Sequence, residues 1–292
     1  MNKKKAAVLF VIGAACMWGT LGVTVRILSG FGFSAIQIVA ARLAVSAALL
    51  GIYLLATDKT RLRIEKKDIK WFIGTGIFSM LFFNTCYCLT VSKTSLSVAA
   101  VLLYTSPIFV TVLSAIIFKE KITRKKTLAM LFSVAGCALV SGVFQGNSGK
   151  TPAIGIILGI CAAFGYALYG IFAKILVQKY HSLTILFYTF LLAGLGGVFI
   201  GDTPKMIRIM MNAPVSVPAV IGTALLCSVI PYILYTTALK HIEASKVSIV
   251  ASIEPVVATV LGVLVFRESL TLTGVAGILC VLAAIGILNM GE

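Results

Sequence analysis

Two ionisable side chains fall well inside long apolar stretches of this sequence, Arg42 and Glu254. A charge in hydrocarbon costs about 3 kcal/mol or more unless it is paired or faces water, so each is a candidate for function. Glu254 precedes Pro255, whose ring and missing N–H disturb a helix and free backbone groups. One reading makes Glu254 a carboxylate that binds a proton or a cationic group. The other makes it a neutral acid bonded to the backbone freed at the proline bend. Ser106 likewise precedes a proline, Pro107. Arg42 stands eight residues inside its stretch, or roughly 12 Å at helical rise. It has the fork to hold a carboxylate or phosphate, or it pairs with helix carbonyls or snorkels to the surface. Arg42, Glu254, Pro107 and Pro255 are therefore the gating or coupling candidates.

A second set is aromatic: Trp18, Tyr87, Tyr104, Tyr166, Tyr169, Tyr232 and Tyr235, with Asn84 one turn before Tyr87. Tyrosines expected at mid-depth, away from the interface belts, suggest an amphipathic wall that binds a small molecule. Any one of them alone reads as ordinary packing. With Glu254 the set forms the candidate substrate site.

Elements of one kind must position these residues. Of the 292 residues 60% are hydrophobic and 12% charged, and the mean hydropathy is +1.07. Such a chain lacks the polar surface a soluble domain needs. Its apolar runs are long enough to cross the roughly 30 Å of a bilayer core as helices. They cover Ala6–Leu28, Ser34–Ala56, Lys70–Val91, Ser95–Phe118 and Thr127–Phe144, then Pro152–Val177, Ser182–Ile200, Val215–Lys240, Ala244–Phe266 and Leu272–Met290. The expected class is an all-α membrane protein of ten transmembrane helices. The apolar run after Lys3–Lys5 continues past Cys16 to Leu28, too long for a signal peptide, so it reads as a retained first span.

The net charge of +16 points to topology rather than nucleic acid, because the cations sit in short loops. With the N-terminus inside, the loops on that side carry 18 Lys and Arg and the opposite loops 6. That asymmetry predicts a multi-pass protein of the cell membrane with both termini cytoplasmic. The seven cysteines all lie in apolar segments and read as small packing residues. His181 and His241 are in loops, no Cys/His metal spacing occurs, and no cofactor is expected. There is no Walker motif for ATP.

The chain repeats itself. At an offset of 148, Ile73-Gly74-Thr75 matches Ile221-Gly222-Thr223, Tyr87 matches Tyr235 and Pro107 matches Pro255. Glu120 and Thr123 match Glu268 and Thr271, and positions 73–123 give 12 identities in 51. The same offset sets Asn84 opposite Tyr232 and Ser106 opposite Glu254. Five spans per copy turn the second copy over. Accordingly the turn Lys119–Lys126 has lost its cations in the matching 267–274 except Arg267. The expected units are residues 1–146 and 150–292, two inverted five-helix repeats joined by a Gly/Ser/Pro linker near 145–152. Inverted repeats are the architecture of alternating access, with the substrate between the halves near the midplane.

Over its whole length the chain resembles the EamA type of the drug/metabolite transporter superfamily. Trp18-Gly19, Arg42, Pro107, Phe118-Lys-Glu120-Lys-Ile-Thr123, Glu254-Pro255-Val256 and Phe266-Arg-Glu268-Ser-Leu-Thr271 carry the resemblance. It implies a ten-helix basket in which the first four spans of each half line a cavity and the fifth packs outside. It also implies export of small metabolites, amino acids or toxic compounds, by a proton-linked or facilitated route. The expected partners are a small-molecule substrate, the lipid bilayer and protons, with no nucleic acid. A channel, a scaffold or a multi-pass enzyme is the alternative, and the clustered Asp, His or Cys an enzyme would use are missing.

Overall fold

A computed structural model describes residues 3–141, 152–267 and 269–289. The expected linker, both unit boundaries beside it and Glu268 lie outside the described residues. Among those residues the fold is helical, with no strand. We number the helices α1 Lys3–Gly30, α2 Ala35–Thr57, α3 Lys66–Lys93 and α4 Leu96–Phe118, then α5 Arg124–Val140. After the midpoint come α6 Ala153–Leu176, α7 Ser182–Ile200, the surface helix α8 Thr203–Asn212, α9 Ser216–Leu239, α10 Ala244–Phe266 and α11 Leu272–Asn289.

Eight of these, all except α5, α8 and α11, are long and apolar enough to cross a membrane. Large apolar side chains such as Ile52, Phe78, Ile116 and Leu264 stand exposed on their outer faces, as a lipid solvent demands. The protein is thus a multi-pass membrane protein. α5 and α11 have 17 and 18 residues, and they pack on each other.

The pairing of helices follows the repeat. α2 packs on α7 and α5 on α11, which are equivalent pairs. α1 packs on α9 and α10, while α6, the equivalent of α1, packs on α3 and α4. The largest contacts of one half with the other are therefore matched by their reciprocals, the pattern of a two-fold interface.

Local structure obeys the same 148-residue offset. The third span of each half contains a π-helical stretch, Gly74–Leu81 in α3 and Leu225–Val229 in α9. The fourth span of each half is interrupted and then restarts. Leu96–Leu103 gives way to Ser106–Phe118, and Ala244–Ala251 to Glu254–Phe266. The restarts place Pro107 and Pro255 in the first turn, where a missing N–H costs nothing. Both restarted segments end on a left-handed residue, Lys119 at φ 59° and Arg267 at φ 56°. α1 is also interrupted, at Thr20, whose hydroxyl donates to Met17 O at 2.7 Å.

Close approach is set by glycine. A Cβ on Gly136 would lie 2.8 Å from the Gly277 carbonyl oxygen, and one on Gly277 would lie 2.7 Å from that of Gly136. The α5–α11 seam therefore has no room for a side chain. Replacing Gly136 by Leu should lower the thermal unfolding midpoint of detergent-solubilised protein, overpacking costing about 1–3 kcal/mol. Gly286, where a Cβ meets nothing within 4 Å, is the control, and equal losses at both sites would refute the seam.

Candidate functional site

The candidate residues separate into three linked groups around the meeting of α1, α3, α6, α9 and α10. The first is built on Arg42, which is buried in α2. Pro231 has no N–H, so the carbonyl of Cys227, four residues earlier, has no α-helical donor. Arg42 Nη1 donates to that oxygen at 3.1 Å. Its Nη2 donates to Asn84 Oδ1 at 3.2 Å, and Asn84 Nδ2 in turn donates to Met80 O at 2.7 Å. Cys227 and Met80 lie in the two π-helical stretches. One guanidinium thus ties together the third spans of both halves at the places where their hydrogen-bond ladders are irregular. Asn84, only 5% exposed, is committed to this brace.

The second group is a ring cluster. Trp18 stacks at 5.0 Å from Tyr232 and 5.4 Å from Tyr235, and Tyr169 stands 5.0 Å from Tyr232 and 6.0 Å from Tyr235. Phe190 closes the set, 5.6 Å from Tyr232. All five rings are buried. The Tyr169 hydroxyl lies 2.6 Å from Thr236 Oγ1, and Tyr232 donates to Met80 Sδ at 3.6 Å. Edge-on and tilted packing of this kind excludes water from the space between α1, α6, α7 and α9.

Glu254 centres the third group. It opens the restarted half of α10, beside Pro255, and is half-buried. The Tyr104 hydroxyl lies near its carboxylate, and Tyr87, Tyr166 and Tyr232 lie within electrostatic reach of it. Arg42 is its charged neighbour. Tyr87, Tyr104 and Tyr166 are half-buried like Glu254, and Phe83 bridges Tyr87 and Tyr166 with ring centroids at 6.5 and 5.3 Å. Chemically this is one carboxylate at the start of a half-helix, walled by phenols drawn from α3, α4, α6 and α9. A carboxylate there accepts hydrogen bonds or a cation, and the ring faces accept apolar or cationic groups.

The equivalence of Tyr87 and Tyr235 in the repeat does not carry over to their surroundings. Tyr87 stands half-buried in the Glu254 group, while Tyr235 is 3% exposed in the ring cluster. Phe190, Met80, Thr236 and the Cys227 carbonyl complete these groups without having been singled out in the sequence. Of these, Pro231 was the readable signal for the carbonyl. No group of three or more His, Cys, Asp or Glu side chains suited to a metal occurs among the described residues. A separate apolar groove between α2 and α7, walled by Ala44, Gly51, Phe187 and Gly194, holds none of the candidate residues.

The comparisons with known proteins agree with this organisation. The model of the EamA-like transporter family matches twice, over residues 5–142 and 153–290, again at an offset of 148. An uncharacterized transporter of Archaeoglobus fulgidus is 26% identical over 275 residues, 94% of this chain and 93% of its own. The uncharacterized transporter YyaM of Bacillus subtilis is 26% identical over 88% of this chain and 87% of its own. One solved structure, titled only as the crystal structure of a protein, superimposes with a TM-score of 0.80. It covers 98% of this chain and 97% of its own at 15% identity, a likeness of fold. With a family model that matches both halves, the chain belongs to the EamA-like transporter family.

Proposed function

We propose that this protein is a secondary transporter of the cell membrane that exports small polar or amphipathic metabolites, amino acids or related compounds, by alternating access. The observation that carries the reading is the Glu254 group, a half-buried carboxylate where α10 is interrupted, walled by tyrosines from both halves. Substrate sites made at broken helices near the midplane are what an inverted-repeat transporter requires. The reciprocal helix contacts and the paired interruptions support two inverted halves of five spans each, with α5 and α11 as the fifth. The loops rich in Lys and Arg support placing both termini in the cytoplasm. In this reading Glu254 binds the amino group of the substrate or a proton, Tyr87, Tyr104 and Tyr166 hold its apolar part, and Arg42 acts as a brace.

Two measurements on reconstituted protein test this. Wild type should move one or more of a panel of radiolabelled amino acids into proteoliposomes under a pH gradient. Glu254→Gln should abolish that uptake yet retain counterflow exchange without a gradient. Uptake by the variant at the wild-type rate removes Glu254 from coupling, and no flux of any panel member by the wild type removes the substrate class. Tyr87→Ala should weaken apparent affinity about five- to tenfold, the loss of an aromatic contact of about 1 kcal/mol or more. Tyr53→Ala, on the lipid face at 52% exposure, should leave affinity unchanged. Equal effects at the two tyrosines would refute the wall.

A further inference from the structure

We propose that Glu120 is the positioning residue of a gate that holds the lysine-rich end of the protein shut by capping a helix of the other half. At that end four segments meet: the α2–α3 loop, the α4–α5 turn, the α6–α7 loop and the α9–α10 turn. Most of their polar ties run from half to half.

α10 begins with the backbone N–H groups of Ala244 and Ser245, and the Glu243 side chain at its N-cap makes no capping bond. The orphan donors are taken by Glu120 instead. Its carboxylate accepts from Ala244 N at 2.9 Å, from Ser245 N at 3.4 Å and from Ser245 Oγ at 2.5 Å. A carboxylate at a helix N-terminus is favoured by both the free N–H groups and the helix dipole. The left-handed Lys119 that ends α4 turns the chain so that Glu120 follows at once. The sequence alone suggests that Glu120 ends its own helix beside Lys119 and Lys121, yet it caps a helix 124 residues away.

Three further ties secure the same end. Lys126 Nζ lies 2.6 Å from Glu243 Oε2, with Lys126 only 8% exposed. Lys174 Nζ donates to the carbonyls of Leu239 and Ile242, both at 2.6 Å, and so grips the α9–α10 turn from α6. Across the end, Lys179 reaches Asp68 at 2.6 Å and Glu65 at 2.5 Å, and Tyr180 donates to Asp68 at 2.6 Å. The Lys179 ammonium holds the Asp68 carboxyl below its usual range.

The matching position at the opposite end is organised differently. The helix equivalent to the start of α10 is Leu96–Leu103, and its own Ser95 caps it by accepting from Val98 N at 3.2 Å. Among the described residues the start of α10 is capped from the other half and that of Leu96–Leu103 by its own Ser95, while Glu268, the counterpart of Glu120, lies outside them. Tyr235 stands four residues from the lysine-rich end of α9, while Glu254 stands ten residues from that end of α10, so the buried rings close this state toward the lysine-rich end. The inference rests on the alternating-access reading, in which that closure must be reversible.

Hydrogen–deuterium exchange on the purified, substrate-free protein tests the gate without relying on transport. Removing the cap in Glu120→Ala should raise exchange severalfold at Ala244 and Ser245. It should raise it too at residues 62–68 and 177–181, which Glu120 does not touch, while protection increases at residues 95–99 of the opposite end. Lys126→Gln, which leaves the cap in place, should produce the same distant pattern. A rise confined to Ala244 and Ser245 would make Glu120 an ordinary cap and overturn the proposal, as would distant segments unchanged in both variants. A gate confirmed in this way, with no flux in proteoliposomes, would leave it standing and refute only the transport reading.

Discussion

A backbone carbonyl inside a bilayer has no water to turn to, and this fold is arranged around carbonyls that its own helices cannot serve. Pro231 deprives Cys227 O of its donor, and the guanidinium of Arg42 supplies one from another helix. Through Asn84 the same side chain reaches Met80 O in its own half. A charged residue in the membrane interior is thereby kept by bonds to neutral groups, and it fixes the spacing of α3 and α9. The tyrosines of those helices inherit their places from that spacing. Tyr232 contacts Met80 and the ring cluster while Tyr87 faces Glu254, and neither arrangement survives a shift of α3 against α9.

Much of this was legible in the sequence because the signals are local. Apolar run length reports a membrane crossing directly, and Pro107 and Pro255 report the interruptions of α4 and α10 because a proline is best accommodated in the first turn of a helical segment. The 148-residue register paired Pro107 with Pro255, and both fourth spans share an interruption there. It was silent on environment. Tyr87 and Tyr235 occupy one position in the repeat, yet one is half-buried beside a carboxylate and the other sealed among rings. A repeat specifies which residues correspond, whereas the packing around each position decides how far it is buried. Glu120 was beyond reach for a similar reason, since two of its three partners are backbone amides, which carry no side-chain signature. The π-helical stretches had no readable signal apart from the glycines at 74 and 76 and the proline at 231.

The halves are alike in secondary structure and unlike in their ends. Reciprocal contacts join α1 to α9 and α10 and join α6 to α3 and α4, so the middle of the molecule is nearly symmetric. Among the described residues the differences lie in polar groups outside the apolar core: Glu120, Lys126, Lys174 and Lys179 are engaged at one end, and Ser95 caps its own helix at the other. Apolar contacts between helices tolerate sliding, while charge-assisted hydrogen bonds are short and directional. In the transport reading such a near-symmetric core has two related arrangements, and the directional ties at the lysine-rich end select one of them.

The π-helical stretch in α3 has a consequence for how this gene can change length. Such a stretch accommodates an additional residue in a helix, and each residue turns the chain by about 100°. Everything after Gly74–Leu81, including Asn84 and Tyr87, faces its present direction only because that residue is there. Loss of a single codon in the stretch would restore an ordinary helix and swing both side chains a quarter-turn or more around its axis. Asn84 would leave Arg42, and Tyr87 would leave Glu254. Substitutions among the apolar residues there are mild by comparison, so reading length, more than residue identity, is what the third span has to preserve.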